Sequence, residues 1–167
     1  ASGRTPYVIS ALTYAKNINA LTISISCVPK NESPISSDID IRLLTGPEIL
    51  SGSTRLKAGT ATKMLLNIIS TSVMIKLGKV YENRMIDLSV TNNKLLNRAL
   101  RILYDIASVN REDGLNLLKI TNGSVKLSLL IALSNLDVIN AKQLLEDSGD
   151  NLRIALSMVN FSWLIDY

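Results

Sequence analysis

No histidine occurs in the 167 residues, and there is a single cysteine, Cys27. The first absence removes the commonest general base, the Ser–His triads and most zinc chemistry. The second excludes an internal disulfide and fits a reducing cytoplasm. Aromatic residues make up 4% of the chain, too few for a stacking surface, and its Lys and Arg residues are dispersed, so no nucleic-acid partner is expected. Long apolar runs are missing as well. Met64 to Ile69 and Leu127 to Leu133 are broken by Asn67 and Ser128, and neither approaches the ~20 apolar residues that span a membrane. No basic segment leading into an apolar one opens the chain, so neither secretion nor membrane insertion is indicated.

What is present describes a folded domain. Hydrophobic residues reach 47% and the net charge is only +4, which excludes the disordered class. The length suits one core, or one core with a small satellite. Residues 1–91 hold ten Lys/Arg against six Asp/Glu and so carry the whole +4, while residues 92–167 hold eight of each. Dispersed positive charge of that kind suits a small anion such as a phosphorylated metabolite.

The pattern changes along the chain. Thr5 and Pro6 stand where an N-cap and a first helical residue belong, and a helix is expected to about Lys16. Leu21 to Cys27 alternates apolar with small polar residues, a strand signature, and Ile39 to Thr45 reads as a second strand closed by Gly46-Pro47. Ser53 or Thr54 is expected to cap a long helix stopped by Gly78. Its apolar positions (Leu56, Met64, Leu65, Ile68, Ile69, Val73, Ile75, Leu77) cover more than one face and predict burial. From Asn92 onward the chain reads as helix: Asn93 to Ala107, a helix capped by Asn110, then further short helices divided at Asn122-Gly123, Asn135 to Asp137 and Ser148-Gly149. The expected architecture is therefore α/β over residues 1–91 and all-α over 92–167. No strand precedes Ser2 and only two strands are evident, so the chain reads as part of a longer polypeptide.

Two clusters carry chemistry. Ser2-Gly3-Arg4-Thr5 at a helix start offers hydroxyls and free N–H groups to an anion, although Thr5 alone could merely cap. Gly46-Pro47-Glu48, with Ser51 to Thr60, gathers hydroxyls, Arg55, Lys57 and one carboxylate at another helix start, without P-loop spacing. Cations near a helix N-terminus oppose its dipole, which suggests a bound anion; a solvated ion-pair network is the plainer alternative. Cys27 reads as a buried small apolar residue, and Tyr14, Tyr81 and Tyr104 as packing.

In series, Ser2-Gly3-Arg4-Thr5-Pro6-Tyr7-Val8, Gly46-Pro47-Glu48, Gly52 to Ala61, Leu77-Gly78-Lys79-Val80-Tyr81 and Met85-Ile86-Asp87-Leu88 resemble the N-acetylmuramic acid 6-phosphate etherase family, related more distantly to glucokinase regulatory protein. The resemblance is continuous to about residue 98 and looser beyond. It implies the second half of a sugar isomerase (SIS) parallel sheet flanked by helices, over residues 1–91, and a small helical domain over 92–167. It also implies a cytoplasmic lyase of cell-wall amino-sugar recycling, which cleaves the D-lactyl ether to give N-acetylglucosamine 6-phosphate and D-lactate without metal or organic cofactor. Ser2, Gly3 and Thr5 are implied at the 6-phosphate, Glu48 facing the sugar, and Lys57 near the ligand or a subunit interface of a homodimer. The family's acid and base glutamates match no position of this sequence, so no catalytic residue is assigned. Two readings compete with the etherase: a non-catalytic phosphosugar-binding regulatory module, and an interaction domain that docks through residues 92–167.

Overall fold

The computed structural model describes the backbone of residues 1–162, with seven helices and four short strands among them. The chain is thus mixed α/β. It divides into two compact units, Ala1–Ser70 and Thr71–Tyr167.

The first unit opens with α1 (Pro6–Asn17), started by Pro6 at its first position. Thr5 occupies the N-cap, but its side chain makes no capping bond. β1 (Ile23–Ser26) and β2 (Ile39–Arg42) follow and pair in parallel, with Ile23 opposite Ile39 and Ser24 opposite Asp40. The alternation in β1 is real, yet its covered face is the hydroxyl face: Thr22, Ser24 and Ser26 are buried while Leu21 and Ile23 are exposed. Asp38 and Asp40 explain this, because Asp38 accepts from the Thr22 hydroxyl (2.6 Å) and Asp40 from the Ser24 hydroxyl (2.9 Å). Buried hydroxyls are tolerated where such partners exist.

The long helix α2 (Lys57–Lys76) departs from expectation in two ways. It begins three residues after Thr54, and its first amides are held from outside by the Glu48 carboxylate. It is also largely exposed: Ala58 is its one buried residue, and Met64 and Ile68 are each 59% exposed. Its apolar residues lie all around the helix, and among the described residues too little packs against it to cover them.

In the second unit the connector after Gly78 forms a minimal antiparallel ribbon, β3 (Val80–Tyr81) with β4 (Arg84–Met85), turned by Glu82 at a positive φ of 51°. Then come α3 (Asn93–Ala107), α4 (Arg111–Ile120), α5 (Val125–Ser134), α6 (Val138–Asp147) and α7 (Leu152–Ser162). Side-chain caps fix the starts: Asn92, Asn110, Ser124 and Asp137 each accept from an amide two or three residues on. Left-handed residues, Ser108 and Asn135, close α3 and α5. α5 is the central element, touching α3, α4, α6 and α7, and six consecutive residues from Val125 to Leu130 are buried. Leu100, Ile102 and Leu103 of α3 join this core, as does Ile86 after the ribbon. Tyr81 packs on it under the Arg153 guanidinium, 5.1 Å from the ring centroid. Tyr14 and Tyr104, expected to pack, are exposed. No single described helix is long and apolar enough to cross a membrane.

Candidate functional site

The predicted residues gather at two helix starts in the first unit. At α1, Ser2 and Thr5 are exposed and Gly3 is half-buried at φ +68°. The left-handed turn is stabilised locally, with the Arg4 amide donating to Ser2 Oγ (3.3 Å) and the Arg4 guanidinium donating to the Glu32 carbonyl (3.0 Å from Nε). Gly3 packs directly on Ser33, Ile35 and Ser26. A Cβ there would lie 2.6 Å from Ser33 Oγ and 3.2 Å from Ser26 Cβ, so no larger residue fits. Ser26 is fully buried, and its hydroxyl is the one buried side-chain polar atom without a partner among the described residues. The loop carrying Glu32 and Ser33 is itself pinned. Arg42 donates to the carbonyls of Val28 (3.2 Å) and Ser33 (2.8 Å) while it ion-pairs with Asp40 at 2.8 Å. Asp40 is thereby held below the usual carboxylate range, first by Arg42.

At α2, both oxygens of Glu48 accept backbone N–H groups, Oε2 from Lys57 (2.9 Å) and Oε1 from Ala58 (2.9 Å). Those bonds favour the charged form and lower the Glu48 pKa. Glu48 is therefore an external helix cap. The Lys57 side chain is exposed, and its charge adds to the lowering of the Glu48 pKa.

β1 brings the two starts together. The Cys27 amide donates to Ala1 O (2.7 Å), and Cys27 Sγ lies 3.8 Å from Ala58 O and 3.7 Å from Thr62 Oγ1. Between them opens a cleft of about 540 Å³, lined by Ala1, Thr54, Arg55, Gly59, Thr62 and Lys63 among others. The larger cavity of about 690 Å³, in the second unit beside Asn135 and Leu144, has no charged residue in its lining. Among the described residues no three Cys, Asp or Glu side chains are placed to hold a metal ion. The serines beneath Gly3 and the Asp40–Arg42 brace escaped the sequence reading. The signal for them was the matched period of two in Thr22-Ser24-Ser26 and Asp38-Asp40-Arg42.

Residues 82–128 match the family model of the C-terminal lid domain of glucokinase regulatory protein. An N-acetylmuramic acid 6-phosphate etherase of Prochlorococcus marinus (strain NATL1A) is 74% identical over 156 residues, covering 93% of this chain and 50% of the relative. The chain is a relative of the N-acetylmuramic acid 6-phosphate etherases. A second etherase of that species (strain NATL2A) is 75% identical over 134 residues, 80% of this chain and 43% of its own. The etherase of Synechococcus sp. (strain CC9902) is 58% identical over 156 residues, 93% and 49% of the two chains. The chain spans about half the length of the curated etherases it matches.

Proposed function

We propose that this chain is the C-terminal portion of an N-acetylmuramic acid 6-phosphate etherase, a lyase that releases D-lactate and N-acetylglucosamine 6-phosphate. The observation that carries the reading is the Ser2–Thr5 turn at the start of α1, where a left-handed Gly3 packs against the Ser33 hydroxyl and the side chains of Ile35 and Ser26. Such a turn presents N–H and O–H donors at the positive end of a helix, which is what a phosphate takes. The etherase relatives supply the sugar. In this reading residues 1–91 belong to a SIS-type phosphosugar domain and 92–167 to a small helical domain, in a cytoplasmic homodimer. Ser2, Gly3 and Thr5 hold the 6-phosphate. Glu48 acts through α2, whose first amides it holds from outside the helix, and so fixes the position of Lys57 beside the sugar. The acid and base for the elimination come from the part of the etherase sequence that this chain does not match.

Calorimetric titration with N-acetylglucosamine 6-phosphate, set beside an assay of D-lactate release from N-acetylmuramic acid 6-phosphate, tests the reading. Saturable binding that Gly3→Ala abolishes supports the phosphate site; unchanged binding in Gly3→Ala removes it. The match to the lid domain of a regulatory protein sustains a second reading, phosphosugar binding without turnover. Lactate release by the complex of this chain with the other half of the sequence separates the two.

A further inference from the structure

The cleft beside Ala1 stands apart in its charge. Arg55 and Lys63 line it and no carboxylate does. Neither cation has an ion-pair or hydrogen-bond partner among the described residues. The contrast with the other cavities is informative. The pocket at Asn97 also contains two arginines, but Arg111 there donates to Asn97 Oδ1 (3.2 Å) and Arg101 pairs with Asp105 (3.8 Å). The pocket at Lys142 balances its cation with Glu146 and Asp150. Two unneutralised cations facing one concave surface repel each other unless an anion joins them. The amides at the start of α2 do not account for such an anion, because Glu48 already occupies those of Lys57 and Ala58.

The cleft also has a floor and a position. Arg55 stands in the turn before α2 and Lys63 in its second turn, with Gly59 between them in the lining, its amide donating to the Thr54 carbonyl (2.8 Å). Thr54 and Thr62 add hydroxyls at its walls. Ala1 forms one side, and Ser2 and Gly3 continue directly from it into the turn at α1. A ligand anchored by a phosphate on that turn therefore extends past Ala1 toward Arg55 and Lys63.

We propose that Arg55 and Lys63 form a second anion subsite that takes the carboxylate of the ligand's lactyl ether arm. This rests on the phosphosugar reading above and adds to it a means of telling substrate from product, since N-acetylglucosamine 6-phosphate retains the phosphate and lacks the carboxylate. Arg55 supplies a planar pair of donors suited to a carboxylate, and Lys63 a point charge.

The test is equilibrium titration of the wild-type chain, Arg55→Gln and Lys63→Gln with N-acetylmuramic acid 6-phosphate and with N-acetylglucosamine 6-phosphate. Wild type is expected to prefer the lactyl-bearing sugar. Each substitution is expected to weaken that sugar by about tenfold, the size of one charge-assisted contact, and to leave the other sugar unchanged. Both residues are exposed, so the fold is expected to survive, and Arg55→Lys is expected to restore part of the preference. Equal weakening of both sugars, or no change in either, overturns the subsite while leaving the phosphate site standing. Failure of wild type to bind either sugar overturns the phosphosugar reading and the subsite with it.

Discussion

Lys126 buries its side chain to 3% exposure yet keeps its charge satisfied, donating to the Asp150 carboxylate (2.6 Å) and to the Asp150 carbonyl (2.8 Å). Lys79 and Asp87 extend the network. Burial, the largest single influence, would raise the Asp150 pKa, but the bonds and charges of Lys126 and Lys79 together outweigh it and the net shift is downward. Removing the buried partner strands only a half-exposed carboxylate, so Lys126→Ala is expected to destabilise the helical unit by about 2 kcal/mol, below the cost of a fully buried pair. Urea unfolding followed by circular dichroism measures it. Gly3→Ala acts differently. A left-handed alanine pressed against Ser33 and Ile35 is expected to cost about 2 kcal/mol in the first unit, again read from urea midpoints. Titration gives a third expectation. The Thr22 hydroxyl and amide hold the Asp38 pKa down, Arg42 does so for Asp40, and the α2 amides for Glu48. Groups with depressed folded values add stability above their ordinary carboxylate values near 4, and that stability is lost as pH falls through the lower folded values. The first unit is therefore expected to loosen in acid below about pH 4, with a thermal midpoint that falls between pH 5 and pH 3; a flat midpoint would contradict the network.

Two helices rich in apolar residues behave oppositely. α5 buries six consecutive residues, while α2, twice as long, buries one. Amide exchange is expected to be slower across Val125–Leu130 than across Met64–Ile75, since protection follows buried contacts rather than helix length; mass spectrometry resolves it. The same pair shows where sequence reading succeeds and stops. The cap at Asn110 was legible because a cap is a bond between near neighbours, and the helix boundaries near Asn92 and Asp137 were legible as breaks in the pattern. The burial of α2 was not legible, because an all-round apolar pattern states what a helix would bury and not whether anything covers it. The cap at α2 failed for a related reason. Glu48 reaches the helix from nine residues away through a turn at Gly52, at positive φ, so the local choice of Ser53 or Thr54 lost to a remote carboxylate. At the candidate site, Ser2, Gly3 and Thr5 could be read from the helix start, whereas Ser26 and Ser33 become visible only once the parallel register places β1 and its loop under Gly3.

The two units differ in what holds them. Among the described residues, fourteen buried hydrophobic residues make one cluster in the second, whereas in the first Ala58 is the only such residue and buried hydroxyls take the place of a core. Polar networks contribute less net stability than apolar burial of similar extent. Urea is accordingly expected to unfold the chain in two steps, with the Ala1–Ser70 unit first; a single coincident transition by circular dichroism and by exchange would show that the units unfold together. The arrangement at Cys27 has a practical consequence. The chain's only thiol is half-buried between Ala58 O and Thr62 Oγ1, next to the cleft that holds Arg55 and Lys63. A small thiol-reactive reporter therefore attaches at one place without mutagenesis, and its labelling rate or emission becomes a gauge of whether the neighbouring cleft is occupied.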